Sequence, residues 1–346
     1  DGISSVVPSL GALLPADNTT EAVLSGGEGA PYYSGASDFF FQVVFVAATM
    51  SIISGAVAER MKLWSFLAFA VVMTAVIYPV QAYWSWGGGF LSGAGYFDFA
   101  GSGIVHLCGA VGALVGAVMV GPRSGKYDAE GRPRAIPGAN LPLATLGMFA
   151  LWLGWFGFNG GSQLALGSAL DASAMAIVYV NTNLAAAAGV VAAMLLTQAI
   201  YKKVDLTMAL NGAIAGLVSI TAGPDLQNHF LALIVGAIGG ILVVLAIPAL
   251  DKLKIDDVVG AISAHLVAGI WGTLAVGIFG GGDLVVQIIG IVAIGIFMTV
   301  TSAIVWLVLK YTIGLRVDDE AEALGLDRTE LGLEAYPEFG RGSQTV

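Results

Sequence analysis

Residues 230–250 read FLALIVGAIGGILVVLAIPAL, and this stretch decides the fold class. No charged side chain interrupts it, and about 20 such residues in helical form cross the hydrocarbon core of a bilayer. Apolar and polar side chains do not alternate along it, which excludes the strand of a membrane barrel. A helix satisfies its own backbone hydrogen bonds, as lipid demands. Working outward from it, the same reading finds nine runs, at roughly 39–58, 64–84, 101–121, 141–161, 174–200, 206–223, 230–250, 259–281 and 284–309. The chain therefore reads as an all-α polytopic membrane protein with nine visible spans.

Composition agrees. Of 346 residues, 57% are hydrophobic and 11% charged, with a mean hydropathy of +0.85; a soluble domain carries roughly 25% charged residues. The 48 glycines suit helices that pack closely in lipid. With 14 basic against 24 acidic residues, a nucleic-acid-binding stripe is excluded. The single cysteine, Cys108, excludes an intrachain disulfide. No cleavable leader is legible, and the chain opens on Asp1 rather than Met, so it reads as trimmed or partial.

The basic residues set the expected orientation. Arg60 and Lys62 follow the first run, and Arg123, Lys126, Arg132 and Arg134 the third. Lys202 and Lys203 follow the fifth, Lys252 and Lys254 the seventh, and Lys310, Arg316, Arg328 and Arg341 the ninth. All fall on one side, which the positive-inside rule makes cytoplasmic. An external segment 1–38, a transmembrane region 39–312 and a cytoplasmic tail 313–346 follow, in a plasma membrane with the N-terminus outside. The opposite side carries Asp17, Glu21, Glu28, Asp38, Asp98, Asp171, Asp225 and Asp283. That acidity could enrich cations at the mouth; ordinary solubilising charge is an equal reading for each except Asp98.

Inside the runs the only basic groups are His106 and His265, and an ionisable residue at membrane depth is a functional hypothesis by default. Asp98-Phe-Ala-Gly101-x4-His106-Leu and Asp257-Val-Val-Gly260-x4-His265-Leu share four residues in one register. One copy enters its run from outside and the other from the cytoplasm, the pattern of an inverted repeat with its transported species near the midplane. Desolvation and mutual repulsion oppose two charged imidazoles facing each other in a narrow apolar pore. A neutral pair offers donors and acceptors to a small amine or water. Phe41, Phe45, Trp86, Phe158 and Ser162 lie at or near run ends. They could recruit a small cation by cation–π attraction, about 0.5–2 kcal/mol per contact, although packing and an interfacial belt explain each one equally well.

Asp98-Phe-Ala-Gly-Ser-Gly-Ile-Val-His106, followed by Gly121-Pro-Arg123, resembles the signature of the ammonium transporter (Amt/MEP/Rh) family, Amt branch. Similar to it in the same order are Gly55-Ala-Val-Ala-Glu59-Arg60, Gly154-Trp-Phe-Gly-Phe158-Asn159-Gly-Gly-Ser162, Asp256-Asp257-x7-His265-x3-Gly269, and Gly325-Leu-Asp327 with Ala335-Tyr336. The resemblance implies the ammonium-transporter fold and a homotrimer with one pore per subunit. It implies an outer ammonium site at Phe45, Trp86 and Ser162 with Phe41 beside them, a gate of Phe45 and Phe158, and Asp98 as structural support behind the site. His106 and His265 would be the twin histidines along which ammonia and its proton travel on. Ammonium, ammonia and methylammonium are the implied substrates, with no cofactor, and a PII-type signalling protein is the implied cytoplasmic partner.

Two departures accompany the resemblance. The family usually has eleven spans, and the first two are missing here. In the tail, Leu331 and Leu333 stand where the family often has a His and a further acidic residue. An ammonium sensor signalling through the tail is the alternative reading. An intramembrane enzyme is disfavoured: no metal cluster or nucleophile assembles, Cys108 points about 200° away from His106 on a regular helix, and His229 lies at a run edge.

Overall fold

The computed structural model describes residues 4–8 and 34–337. Asp17, Glu21, Glu28 and Arg341, with the greater part of segment 1–38 and the end of the tail, lie outside the described residues. Each of the nine apolar runs forms a helix. In chain order the helices are α1 Gly35–Val57, α2 Leu63–Tyr83, the short α3 Phe90–Ala94, α4 Ser102–Val120, α5 Leu141–Gly161, α6 Ala169–Tyr201, α7 Leu206–Ile220, α8 His229–Lys252, α9 Ser263–Phe279 and α10 Leu284–Thr312. Two short helices, α11 Asp319–Leu324 and α12 Leu326–Leu331, close the chain. Among the described residues there is no sheet, only bridges pairing Met61 with Arg316 and Tyr127 with Pro133.

Seven of these helices are long and apolar enough to cross a membrane; α7 and α9 are shorter than expected. The reasons are local. α7 ends before Gly223-Pro224, and the carbonyls of Thr221 and Ala222 turn to accept the Ala100 and Phe99 N–H groups instead. α9 starts late because Asp257 folds the preceding residues into a capped turn. α1 in turn begins at Gly35, inside the expected external segment, since Ser34 accepts the Ser37 N–H as its N-cap.

Side-chain caps also start α5, α6, α7, α8 and α10: Asn140, Ser168, Asp205, Asn228 and Asp283 each accept a first-turn N–H. α2 has no such cap of its own. The tail supplies one, as Glu330 accepts the Leu63 N–H at 2.7 Å. Within α2, residues Met73–Ile77 widen into a π-turn just before Pro79. Pro79 lacks an N–H and its ring crowds the preceding turn, and widening that turn relieves both.

Side chains as large as Phe40, Leu153 and Leu170 are more than 70% exposed around the outside, so the apolar surface faces outward as well as inward. Inside, α6, α7 and α8 press together through glycine. A methyl on Gly189 would strike Gly212 O, one on Gly236 would strike Ala185 O, and one on Gly240 would strike Gly189 O. Such close approach is how helices gain packing energy where apolar burial from water is not available. α6, α7 and α8 each pack against the other two. In the first half, α1 and α2 meet mainly at the π-turn, with no described helix between them.

The basic loops gather at one end. Arg60 donates to the carbonyls of Ala56, Ala58, Gly121 and Asp256, closing α1; burial, opposed by Asp256, brings it down to about 10. Glu59 adopts a left-handed backbone (φ 69°) to make that turn. Arg123 clamps Asp256 through two side-chain bonds of 2.8 and 3.1 Å and reaches Glu59 at 2.6 Å. Asp256 is held below the usual carboxylate range: burial works against this, and the bonds from Arg123 outweigh it. The tail lies across this end, with Arg316 bonded to Glu322 at 2.6 Å and to the carbonyls of Val120 and Pro122.

Candidate functional site

The two Asp-x2-Gly-x4-His copies build matching corners. In the first, Asp98 points both carboxylate oxygens at the start of α4. Oδ1 accepts from Gly101 and Ser102, and Oδ2 from Gly103 and Ile104, all at 2.9 Å. Gly101 makes the turn at φ 111°, where a methyl would also meet Val105 at 2.5 Å and Trp86 at 3.2 Å. The first turn of α4, Ser102–Leu107, is π-helical and carries His106. In the second copy, Asp257 accepts from the Ile262 and Ser263 N–H groups and the Ser263 hydroxyl at 2.8–3.1 Å. Gly260 turns at φ 78°, and the π-turn Ser263–Val267 carries His265. π-turns break the register of a helix and recur at functional sites; here each swings an imidazole toward the other.

The imidazoles meet. His106 Nδ1 lies 3.1 Å from His265 Nδ1, with ring centroids 5.1 Å apart. At this distance one nitrogen donates and the other accepts, so the pair shares a single proton between its facing nitrogens. His106 is 2% exposed, and its Nε2 has no partner among the described residues.

From His106 a file of rings leads to the end opposite the basic loops. His106 stacks on Phe158 at 5.5 Å, Phe158 lies tilted against Phe45 at 4.2 Å, and Phe41 and Trp86 stand edge-on to Phe45 at 4.7 and 5.6 Å. Trp86 is fixed by its N–H, which donates to Asp98 O at 2.9 Å. Phe41 packs against Gly161, beside Ser162. The Ser162 hydroxyl donates to Phe158 O at 2.8 Å and keeps its lone pairs free for a cationic donor. Phe41, Phe45, Trp86, Phe158, Ser162, His106 and His265 thus fall on or beside this one line. Asp98 lies behind it, its charge spent on backbone N–H groups, and among the described residues no other carboxylate is bonded to the file.

The sequence reading did not single out Trp155. Its ring lies flat on His106, 5.0 Å away at 19°, and its N–H donates to Thr221 Oγ1 at 2.8 Å. The signal was present in its spacing: Trp155 and Phe158 are three apart on α5, hence on one helix face. His229 sits apart from the file, where its Nδ1 meets Asn181 Oδ1 at 2.7 Å.

The family model "Ammonium Transporter Family" matches residues 18–336. Ammonium transporter Amt2 of Archaeoglobus fulgidus is 42% identical over 332 residues, covering 87% of this chain and 70% of the relative. Ammonium transporter Amt1 of Haloferax mediterranei is 41% identical over 324 residues, covering 87% of this chain and 63% of its own length. Among solved structures, one titled "Sensor Amt Protein" superposes with a TM-score of 0.82 at 36% identity, over 93% of this chain and 83% of its own. Candida albicans Mep2 superposes at 0.77 with 28% identity, over 84% and 69%.

Proposed function

We propose, from the premise that this chain belongs to the ammonium transporter family, that it carries ammonium across the plasma membrane along the file of rings. The observation that carries the reading is the continuity of the file: aromatic faces, then an apolar constriction, then two imidazoles bonded to each other. Ammonium is recruited by Phe41, Phe45, Trp86 and the Ser162 hydroxyl. Aromatic faces attract the cation, and Ser162 accepts one of its N–H bonds. A fixed carboxylate there would hold alkali cations equally well, and Asp98 is turned away. Phe45 and Phe158 form the gate.

Beyond the gate the imidazoles are too few to replace the water around the cation, so its charge is costly to move inward. One N–H bond of ammonium breaks, its electron pair stays on nitrogen, and the proton passes to the imidazole pair. Neutral ammonia follows through the apolar stretch, the imidazole pair gives up the proton toward the same end, and the two recombine at the basic end. His106 and His265 serve as proton-handling and selectivity residues in this scheme.

The positive-inside rule puts the basic end in the cytoplasm and the N-terminus outside, with the domain division at 38 and 312. A homotrimer, methylammonium as second substrate, and a PII-type protein on the basic face complete the reading. So does a pair of further helices in the first repeat, supported by the unequal packing of α1–α2 and α6–α8.

Ammonium pulses on protein reconstituted over a solid-supported membrane test it. A saturable inward current is expected, lost or made potassium-permeable in a His106→Ala, His265→Ala double variant. Absence of current with retained ammonium binding would leave neutral ammonia conduction or sensing, the second reading, which the likeness to the sensor structure supports; uptake after a pH jump separates the two.

A further inference from the structure

Thr221 stands where the two halves of the molecule meet. Its carbonyl accepts the Ala100 N–H at 3.0 Å, and Ala222 O accepts the Phe99 N–H at 2.9 Å, so the end of α7 holds the loop that carries Asp98. One residue group later, Val218 O accepts the Ser102 hydroxyl at 2.7 Å. The Thr221 hydroxyl donates back to Leu217 O at 2.7 Å, which leaves its oxygen to accept from Trp155 Nε1 at 2.8 Å. Thr221 is 0% and Trp155 6% exposed.

An indole N–H can only donate, and burying it without an acceptor is costly. Trp155 therefore has one favourable orientation, and in that orientation its ring lies on His106. His106 itself has little hydrogen-bond restraint. Its Nδ1 meets only His265, and its Nε2 meets nothing among the described residues. The second ring stacked on the imidazole, Phe158, carries no polar group to anchor its own plane. The outer torsion of an imidazole is soft, so one hydrogen bond does not fix the ring plane. Flat stacking on an anchored indole does.

We propose that Thr221 and Trp155 are a positioning pair that fixes the plane of the His106 imidazole, keeping its Nδ1 on His265. Only its consequence for transport rests on the reading given above; the positioning itself stands on geometry alone. Trp155 touches the histidine, and Thr221 acts through Trp155.

The chain has three histidines, so ring-15N labelling of the full protein in lipid vesicles gives a spectrum that can be assigned. Wild type is expected to show coupling across the hydrogen bond between the Nδ1 nitrogens of His106 and His265. Thr221→Val, which removes the acceptor at nearly constant volume, is expected to lose that coupling, and Thr221→Ser to restore it. The ammonium-to-potassium selectivity ratio of the same preparations is expected to fall roughly tenfold in Thr221→Val, the scale of one buried hydrogen bond, and to recover in Thr221→Ser. Coupling retained in a folded Thr221→Val protein overturns the proposal, as does equal loss in the Val and Ser variants. Should Thr221→Val not fold, Trp155→Phe keeps an aromatic ring without the N–H and is decided by the same coupling. A wild type with neither ammonium current nor uptake after a pH jump defeats the transport reading, while the nitrogen spectrum still decides the positioning.

Discussion

Asp98 and Asp257 each stand eight residues before a histidine of the ring file, yet the molecule treats them differently. Asp98 is 4% exposed and takes four backbone N–H groups, one pair on each oxygen. Asp257 is half-buried and takes two N–H groups and a hydroxyl. Both carboxylates accept from the fifth and sixth residues on, Gly103 and Ile104 for Asp98 and Ile262 and Ser263 for Asp257. Only Asp98 also accepts from the third and fourth, Gly101 and Ser102. Both corners deliver a histidine, so delivery needs only the aspartate, the glycine turn and the π-turn. Closure is a separate property, confined to the corner beside the recruiting rings.

The strongest way to break this comparison is to delete each carboxylate. Asp98→Ala leaves four buried N–H groups without an acceptor, at a cost on the order of 4 kcal/mol. Asp257→Ala is expected to cost about 2 kcal/mol, the scale of a lost helix cap. Denaturant unfolding in micelles measures both. Equal losses would mean that the extra burial of Asp98 contributes nothing.

The same comparison shows what the sequence made legible. Apolar runs fix helices because lipid leaves the backbone no other partner, and all nine were found, with ends moved by caps such as Ser34 and Asp257. The shared register of Asp, Gly and His identified both corners because a glycine turn at positive φ and an N-terminal carboxylate are local chemistry. Three things were not legible. The π-turns depend on backbone register that no residue type announces, except where Pro79 forces one. The stacking of Trp155 on His106 depends on an acceptor, Thr221, 66 residues away. The capping of α2 by Glu330 joins segments 267 residues apart. The last two are contacts between distant parts of the chain, which spacing within a run cannot express.

Glycine substitution sharpens the comparison at smaller scale. Gly101→Ala places a Cβ at φ 111°, outside the left-handed well, with Val105 at 2.5 Å and Trp86 at 3.2 Å. About 3 kcal/mol of destabilisation is expected, with loss of ammonium binding because the Trp86 ring must move. Gly260→Ala sits at φ 78° and meets the Asn211 amide at 2.7 Å, the far end of a side chain that can swing aside. About 1 kcal/mol is expected there. Unfolding midpoints together with ammonium binding by calorimetry check both, and a larger effect at Gly260 would reverse the ranking of the two corners.

The smallest effect is a pH dependence that separates Asp257 from its neighbour Asp256. Burial pushes Asp257 above the usual carboxylate range, and the N–H groups of Ser263 and Ile262 offset this only in part. Asp256 lies below that range because the bonds from Arg123 outweigh its burial. The signs are opposite. A raised carboxylate holds its proton in the folded state first, so its contribution grows as pH falls from its folded value toward the ordinary one, about 4. A lowered carboxylate contributes fully above about pH 4 and loses that contribution as pH falls through its folded value. In wild type the two windows adjoin and partly cancel. Asp257→Asn is therefore expected to remove the gain on mild acidification and leave the steeper loss below pH ~4. Asp256→Asn is expected to be less stable by a constant amount from pH 8 to ~5 and to converge on wild type in stronger acid. Parallel stability–pH curves for the two variants would show that the neighbouring carboxylates share one environment, and the distinction between a carboxylate held by backbone and one held by arginine would fall.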